Sequence, residues 1–309
     1  MSEFIGVSVF IATYNQEKYI ADAIEGALKQ KTTFKYEILI HDDASTDGTT
    51  SIVKEYAKKF PGQIVAYYEE VNMFAHCEVF IDKILSQAKG KYLAICDGDD
   101  YWIDENKLQL QFDFMENNPD FSLCAHNTKI IDMVAGKESI CFARETKELL
   151  REEVIENAGA IFHASSHFFR LAPWYNEHKG NDFADMPRVL WCCNEGRIMC
   201  FSNVMSVYRV HANGSWSSSI TDIYSGISDL MCRVKYYEQY DKMTYGRWHH
   251  SVKKISDGIK GHVFELLRPS YRQFSAKKKI AIILGMSADL FGIWPLTYKI
   301  RKWINKAKH

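Results

Sequence analysis

The sequence predicts an α/β fold, a mainly parallel sheet with helices on both faces, followed by a helical C-terminal extension. Three observations carry this expectation. Between residues 5 and 97, short β-branched and apolar runs alternate with segments whose apolar residues recur at helical spacing. Three of the four strands read there end in polar residues, Thr13-Tyr14-Asn15, Asp42-Asp43 and Asp97-Gly98-Asp99-Asp100, at the edge where such sheets bind ligands. From about Ser225 onward the pattern is helical.

In order, Ile5 to Ala12 reads as a buried strand, and Glu17 to Gln30 as a helix with Tyr19, Ile20, Ala23, Ile24, Ala27 and Leu28 on one side. Tyr36 to His41 is the second strand. Thr46 to Phe60 is the second helix, with Ile52, Val53 and Tyr56 inward. Ile64 to Tyr68 and Lys91 to Cys96 complete the strands, with a helix expected over Cys77 to Ala88 between them. Beyond Asn118-Pro119 the alternation loosens. Phe121 to Asn127, Phe162 to Arg170 and Cys200 to Arg209 read as strands, and Met186 to Cys193 as a short helix. The Gly/Ser-rich loop from Asn213 to Ser219 marks a boundary between residues 1–220 and 221–309.

The composition sets bounds on function. The chain has 309 residues, 47% hydrophobic and 25% charged, with six prolines, which suits one large domain or a domain with an appendage. A net charge of -1 argues against a general nucleic-acid binder, which needs surplus lysine and arginine for phosphate. The start, Met1-Ser2-Glu3-Phe4, lacks a basic segment leading into a long apolar run, so a cytoplasmic location is expected. The eight cysteines are then expected as thiols. Cys192, Cys193 and Cys200 cluster without the C-x-x-C pairs of a zinc site.

Asp97, Asp99 and Asp100 place three carboxylates in four positions at a strand end, with Gly98 allowing a tight turn. Such crowding is unfavourable unless a cation sits among the charges, and Mg2+ or Mn2+ favours these hard oxygens and shares them with a diphosphate. A solvated acidic turn or a helix cap is the alternative. At the end of the second strand, Asp43 can accept the imide N–H of a uracil ring, while Ser45, Thr46 or Asp47 can cap the helix that follows.

Phe10-Ile11-Ala12-Thr13-Tyr14-Asn15, His41-Asp42-Asp43-Ala44-Ser45-Thr46-Asp47-Gly48-Thr49 and Cys96-Asp97-Gly98-Asp99-Asp100-Tyr101-Trp102 resemble, in order and spacing, the nucleotide-sugar motifs of the inverting glycosyltransferase family 2. The resemblance covers residues 5 to 215 and implies the GT-A fold, a Rossmann-like mixed sheet. It implies a catalytic domain over 1–220, with the nucleotide-sugar half at about 1–103 and the acceptor half at 104–220. By it, Thr13, Tyr14, Asn15 and Glu17 fall in the nucleotide loop, Asp43 at the uracil position, Asp97 at the ribose, Gly98 among the nucleotide-sugar residues, and Asp99 at the metal. Ala12 stands where members usually carry Pro, and His41 where they carry Val. His41 is read as a strand-end side chain.

Asp185-Met186-Pro187, followed by Val204-Met205-Ser206-Val207-Tyr208-Arg209-Val210-His211, is similar to the acceptor side of bacterial members that build cell-surface polysaccharide. That similarity puts Asp185 at the catalytic base, with Asp182 as a rival because Ala184 replaces the usual Gly. His211 is a candidate third metal or diphosphate ligand, open against a surface-loop residue, and Arg209 is a candidate phosphate contact. Tyr101 and Trp102 are open between stacking on a sugar and core packing.

The implied function is metal-dependent transfer of a sugar, from a UDP-sugar donor, to a saccharide or lipid-linked saccharide. A sugar nucleotidyltransferase is one rival, and an inactive nucleotide-sugar-binding partner protein is another. From Arg268 to His309 ten lysines and arginines stand against the single acid Asp289, with Trp294, Tyr298 and Trp303 nearby. This suits peripheral contact of 268–309 with an anionic membrane at its inner face, the alternative being a helix packed on the domain.

Overall fold

The computed structural model describes residues 4–73, 84–141, 145–157, 161–171, 185–212, 215 and 223–271. The chain divides into two compact units, Met1–Ser219 and Ile220–His309.

In the first unit, β1 (Ile5–Thr13), β2 (Lys35–Asp42), β3 (Ile64–Tyr68) and β4 (Tyr92–Asp97) lie parallel in the order β3-β2-β1-β4. The sheet continues through β9 (Phe168–Arg170), antiparallel to β4, and then β6 (Phe121–Asp132), β10 (Arg197–Val210) and β5 (Tyr101–Trp102). β7 (Glu138–Cys141) pairs with β6 and β8 (Lys147–Leu149) with β10, giving ten strands among the described residues. The chain steps outward from β1 to β3 and returns on the other side of β1. Strand order therefore reverses between β1 and β4, where open α/β sheets leave a crevice for ligands. Register opposes Ala12 to Asp97 and Thr13 to Asp42, so three polar strand ends lie side by side.

Five helices belong to this unit among the described residues: α1 (Ile20–Leu28), α2 (Thr49–Lys59), α3 (Lys107–Asn117), α4 (Arg151–Glu156) and α5 (Asp185–Glu195). Ile20, Ala23, Ile24 and Ala27 recur at helical spacing and are fully buried in one cluster with Val7, Val9 and Ile11 of β1. Each such aliphatic side chain contributes roughly 1.5 to 3 kcal/mol. Gly26 lets α1 close on β5, since a Cβ there would stand 2.8 Å from the Trp102 carbonyl oxygen. Trp102 is core, its Nε1 donating to the Ser165 carbonyl at 2.9 Å.

Two segments depart from the expected pattern. Of Phe162 to Arg170 only Phe168–Arg170 is strand; Ala164–Ser166 is a 3-10 turn. There His163 Nδ1 accepts the Ser165 N–H and Ser166 Oγ donates to the His163 carbonyl at 2.6 Å, local bonds that compete with a sheet ladder. Helix α3 has no counterpart in the expectation, because its buried face includes Lys107 and Gln111 beside Leu108 and Met115, which breaks the apolar period. Most of the helix expected over 77–88 lies outside the described residues.

In the second unit, α6 (Ile223–Met243) and α7 (His249–Tyr271) pack on each other around Met231 and Val263, with Ile227, Leu230 and Ile259 alongside. Tyr245 and Gly246, at φ 50 and 74, make the turn between them. Among the described residues no helix is long and apolar enough to cross a membrane. The basic tail 272–309 and the loop residues 213–214 and 216–219 lie outside the described residues. The described cysteines are free thiols.

Lys107 is fully buried, with Nζ donating to Gln111 Oε1 at 2.7 Å and lying 4.0 Å from the centroid of the Trp102 ring. Burial pushes its pKa from 10.5 down to about 7. Below pH 7 both folded and unfolded chains carry the charge, and the folded one bears the desolvation cost. Between 7 and 10.5 the unfolded chain binds a proton that the folded chain does not, so stability rises with pH. Lys107→Met should therefore stabilise the protein by about 2 kcal/mol or more at pH 7 and flatten the gain between pH 7 and 9.5. Urea unfolding at the two pH values measures this, and an identical slope in parent and variant contradicts it.

Candidate active site at the carboxyl ends of β1, β2 and β4

The loop after β1 is locked to the loop after β2. Asn15, at φ 52, donates its N–H to Ser45 Oγ at 2.9 Å and accepts the Thr46 N–H on Oδ1 at 2.7 Å. The Glu17 carboxylate accepts the Gly48 N–H at 2.8 Å, and Asp47 returns the contact by accepting the Glu17 N–H at 3.1 Å. Asp47 also accepts the Thr49 N–H at 3.0 Å and so meets one free N–H at the start of α2, whose N-cap residue is Gly48, while Ser45 serves Asn15 instead. Ala44, at φ 62, takes a left-handed conformation unusual for a residue with a Cβ. Of the four residues assigned to the nucleotide loop, Asn15 and Glu17 thus hold its shape, Thr13 is buried, and Tyr14 is 37% exposed.

Asp43 is 5% exposed, and its Oδ1 accepts the Met73 N–H at 2.6 Å. Asp42 accepts the Ser45 N–H and the Thr50 hydroxyl, which fixes the turn. His41 is fully buried 3.6 Å from Glu69, and burial holds its pKa below the usual imidazole range.

At the end of β4 the backbone turns so tightly that a Cβ on Gly98 would lie 2.4 Å from Gln16 Oε1 and 2.8 Å from Thr13 Cβ. The turn presses three carboxyls together. Burial, then the charges of Asp185 and Asp99, push Asp97 from 3.8 to about 8. Burial takes Asp99 to about 6, and burial with its two neighbours takes Asp100 well above the carboxylate range. Asp100 Oδ1 accepts the Arg209 N–H at 3.0 Å, but its buried Oδ2 has no hydrogen-bond partner among the described residues.

His163 Nδ1 lies 3.4 Å from that Oδ2. The ring stacks on Tyr208 at 3.7 Å, and burial lowers its pKa to about 4, so it is neutral. Ligand atoms of Asp97, Asp100 and His163 all fall within 4.8 Å of one another. Hard carboxylate oxygens, one without a donor, and a neutral imidazole fit a divalent cation.

Arg209 braces this loop, donating from Nη1 to the Asp99 carbonyl at 3.0 Å, pairing with Asp22, and lying 4.3 Å from the centroid of the Tyr101 ring. His211, at φ 59, is exposed past the end of β10, with Nδ1 3.4 Å from Asp132 Oδ1. It is not part of the converging trio. Asp185 opens α5 with its carboxylate half exposed and paired to the buried Arg188. Its charge raises the Asp97 pKa, so the two carboxylates lie within electrostatic range of each other. Asp182 lies outside the described residues.

A model of the family described as Glycosyl transferase family 2 matches residues 8–170, a little over half of the chain. The chain belongs to that family. An uncharacterized protein of Mycobacterium tuberculosis is 34% identical over 227 residues, covering 70% of this chain and 62% of its own length. A Bacillus subtilis protein named for teichuronic acid biosynthesis, glycosyltransferase TuaG, is 38% identical over 152 residues, 49% of this chain and 57% of its own. The match thus spans less than two thirds of these relatives. Staphylococcus aureus TarS, solved with UDP-GlcNAc, has a TM-score of 0.60 at 20% identity and covers 90% of this chain and 76% of its own. Mannosyltransferase PcManGT of Pyrobaculum calidifontis, solved with GDP-Man and Mn2+, scores 0.58 at 17% identity, covering 96% and 84%. At these identities the two structures establish the fold, a GT-A mixed sheet flanked by helices.

Within this family 2 chain, sequence reasoning passed over His163 and Arg188, and gave Asp100 no role of its own. His163 sat inside a run read as continuous strand, although His163-Ala164-Ser165-Ser166-His167 carries five small or polar residues that could have flagged a turn. Arg188 carried a plainer signal, a cation among Met186, Val189, Leu190, Trp191, Cys192 and Cys193 on a helix otherwise apolar inward.

The raised Asp97 pKa has a stability consequence in cation-free protein. Between pH 3.8 and 8 the folded chain holds a proton that the unfolded chain releases, so stability falls as pH rises, and the full cost stands above pH 8. In chelator, Asp97→Asn should exceed the parent in stability by about 2 kcal/mol or more at pH 8.5, with the gap closing toward pH 4. Denaturant melts across that range test it; a variant less stable than the parent at pH 8.5 contradicts it.

Proposed function

We propose that this chain is an inverting, divalent-metal-dependent glycosyltransferase moving a sugar from a UDP-sugar to a saccharide or lipid-linked saccharide in cell-surface polysaccharide synthesis. The observation that carries the proposal is the meeting of four groups at one crevice: the Thr13–Glu17 loop, Asp43, the Asp97–Asp100 turn and Asp185. The name of TuaG supports the polymer class, and TarS with its UDP-sugar supports the donor class. GDP-Man on PcManGT shows that the fold admits another base, so the choice of uracil rests on Asp43.

In the proposed reaction the nucleotide lies along the β1 and β2 loops, with the uracil imide N–H on the Asp43 carboxylate and the ribose against Asp97 and Gly98. A bound divalent cation would supply positive charge for the departing diphosphate. Asp97, Asp100 and His163 offer converging ligand atoms for it, and Asp99 and His211 are the candidates from the sequence pattern. Asp185 takes the proton of the acceptor hydroxyl as that oxygen attacks the anomeric carbon from the face opposite the diphosphate. The hydroxyl grows acidic only as its bond to carbon forms, so a carboxylate suffices and no covalent intermediate is needed. Residues 1–220 would hold this chemistry. Residues 221–309 would bring the enzyme to the inner face of the membrane through the basic tail.

Nucleoside diphosphate release, measured over uridine, guanosine and thymidine diphosphate sugars in Mn2+ and in chelator, tests the reading. Uridine donors should turn over in Mn2+, chelator should stop them, and Asp185→Asn should lower kcat by about a hundredfold or more with UDP affinity near that of the parent. Full turnover in chelator removes the metal, and full turnover by Asp185→Asn removes the base.

A further inference from the structure

We infer that Arg188 is the positioning residue for Asp185, tying the proton acceptor to the strand that carries the acidic turn. The inference rests on the proposed role of Asp185. Arg188 is the largest fully buried side chain among the described residues, at 1% exposure. A buried guanidinium is costly unless its donors are met, and an apolar residue would sit among Met186, Val189 and Leu190 without that cost. The charge therefore needs a reason, and its contacts supply one.

Arg188 directs Nε and Nη2 to His167 Nδ1, at 3.2 and 3.0 Å. His167 is buried and neutral, its pKa held well below the usual imidazole range by burial and by the Arg188 charge, so Nδ1 accepts. The His167 carbonyl accepts the Ile95 N–H of β4 at 3.3 Å, two residues before Asp97. With this end fixed, Nη2 also grips the Asp185 carboxylate, one turn back on α5. One side of that carboxylate is anchored while its side chain stays 51% exposed, open to an incoming hydroxyl. The path β4, His167, Arg188, Asp185 sets the distance between proton acceptor and acidic turn. The same cation lies in the field of Asp97 and opposes the repulsion between Asp97 and Asp185.

A misplacement near 1 Å at a reacting group costs on the order of a hundredfold in rate. The test is a double-mutant cycle on the full chain, with turnover read as UDP released from UDP-glucose or UDP-N-acetylglucosamine and UDP affinity read by calorimetry. Arg188→Met should lower kcat by roughly 30- to 100-fold, with donor KM and the Kd for UDP within about twofold. In the Asp185→Asn background the same change should cost less than about threefold, because the group it positions is already gone. Arg188→Lys keeps the charge but not the fork, and should fall between.

Should Arg188→Met fail to fold, the cycle is run with Arg188→Lys, whose loss must likewise vanish in the Asp185→Asn background. Equal losses in both backgrounds overturn the inference by showing a structural role alone. Full kcat in Arg188→Met, beside a crippled Asp185→Asn, overturns it while leaving the base reading intact. A fully active Asp185→Asn removes the base reading and this inference with it.

Discussion

Carboxyl groups forced together at the end of β4 are the constraint on which the first unit turns. The Gly98 turn admits no side chain, so Asp97, Asp99 and Asp100 cannot spread apart, and the sheet around them shuts out much of the water that would screen them. Left to itself this arrangement destabilises the fold. The surrounding groups come from distant parts of the chain: Arg209 from β10, His163 from the turn before β9, Arg188 from α5. None brings Asp97 or Asp100 back to the usual carboxylate range, and Asp100 Oδ2 has no hydrogen-bond partner among the described residues. A site that carries such strain is suited to the proposed cation and diphosphate, whose binding energy would offset what folding gave up.

The same logic extends behind the site. Lys107, His126 and His167 are buried basic groups whose pKa values burial pulls down, and Lys107 lowers both histidines further. His167 is then a neutral acceptor for Arg188, and Lys107 lies against the indole of Trp102, whose backbone α1 approaches through Gly26. Packing and electrostatics are therefore coupled. The helix that shapes the β1 loop and the helix that presents Asp185 both lean on residues whose charge state depends on burial.

The ends of the parallel strands β1, β2 and β4 were legible in the sequence because a parallel strand buried on both faces is a continuous apolar run, and its first polar residue marks the sheet edge. Thr13, Asp42 and Asp97 stand at those edges in β1, β2 and β4. Legibility failed where polar residues are buried for contacts distant in sequence. Lys107 and Gln111 disguised α3, and Gln111 is inside because its amide meets the carbonyls of Cys124 and Ser166. His163 and Arg188 were passed over for the same reason, since their partners Asp100 and His167 lie 63 and 21 residues away and no periodicity encodes such pairs. His211 was readable as a ligand type, but its position beside Asp132 required the fold.

The central claim is that the acidic turn is a joint site for a cation and a nucleotide, so the two must bind with a favourable coupling. Calorimetric titration of the parent chain with UDP, in Mn2+ and again in chelator, measures that coupling directly. The account predicts a Kd for UDP at least about tenfold tighter with Mn2+, a coupling of about 1.4 kcal/mol or more. Equal affinities in the two conditions would contradict it.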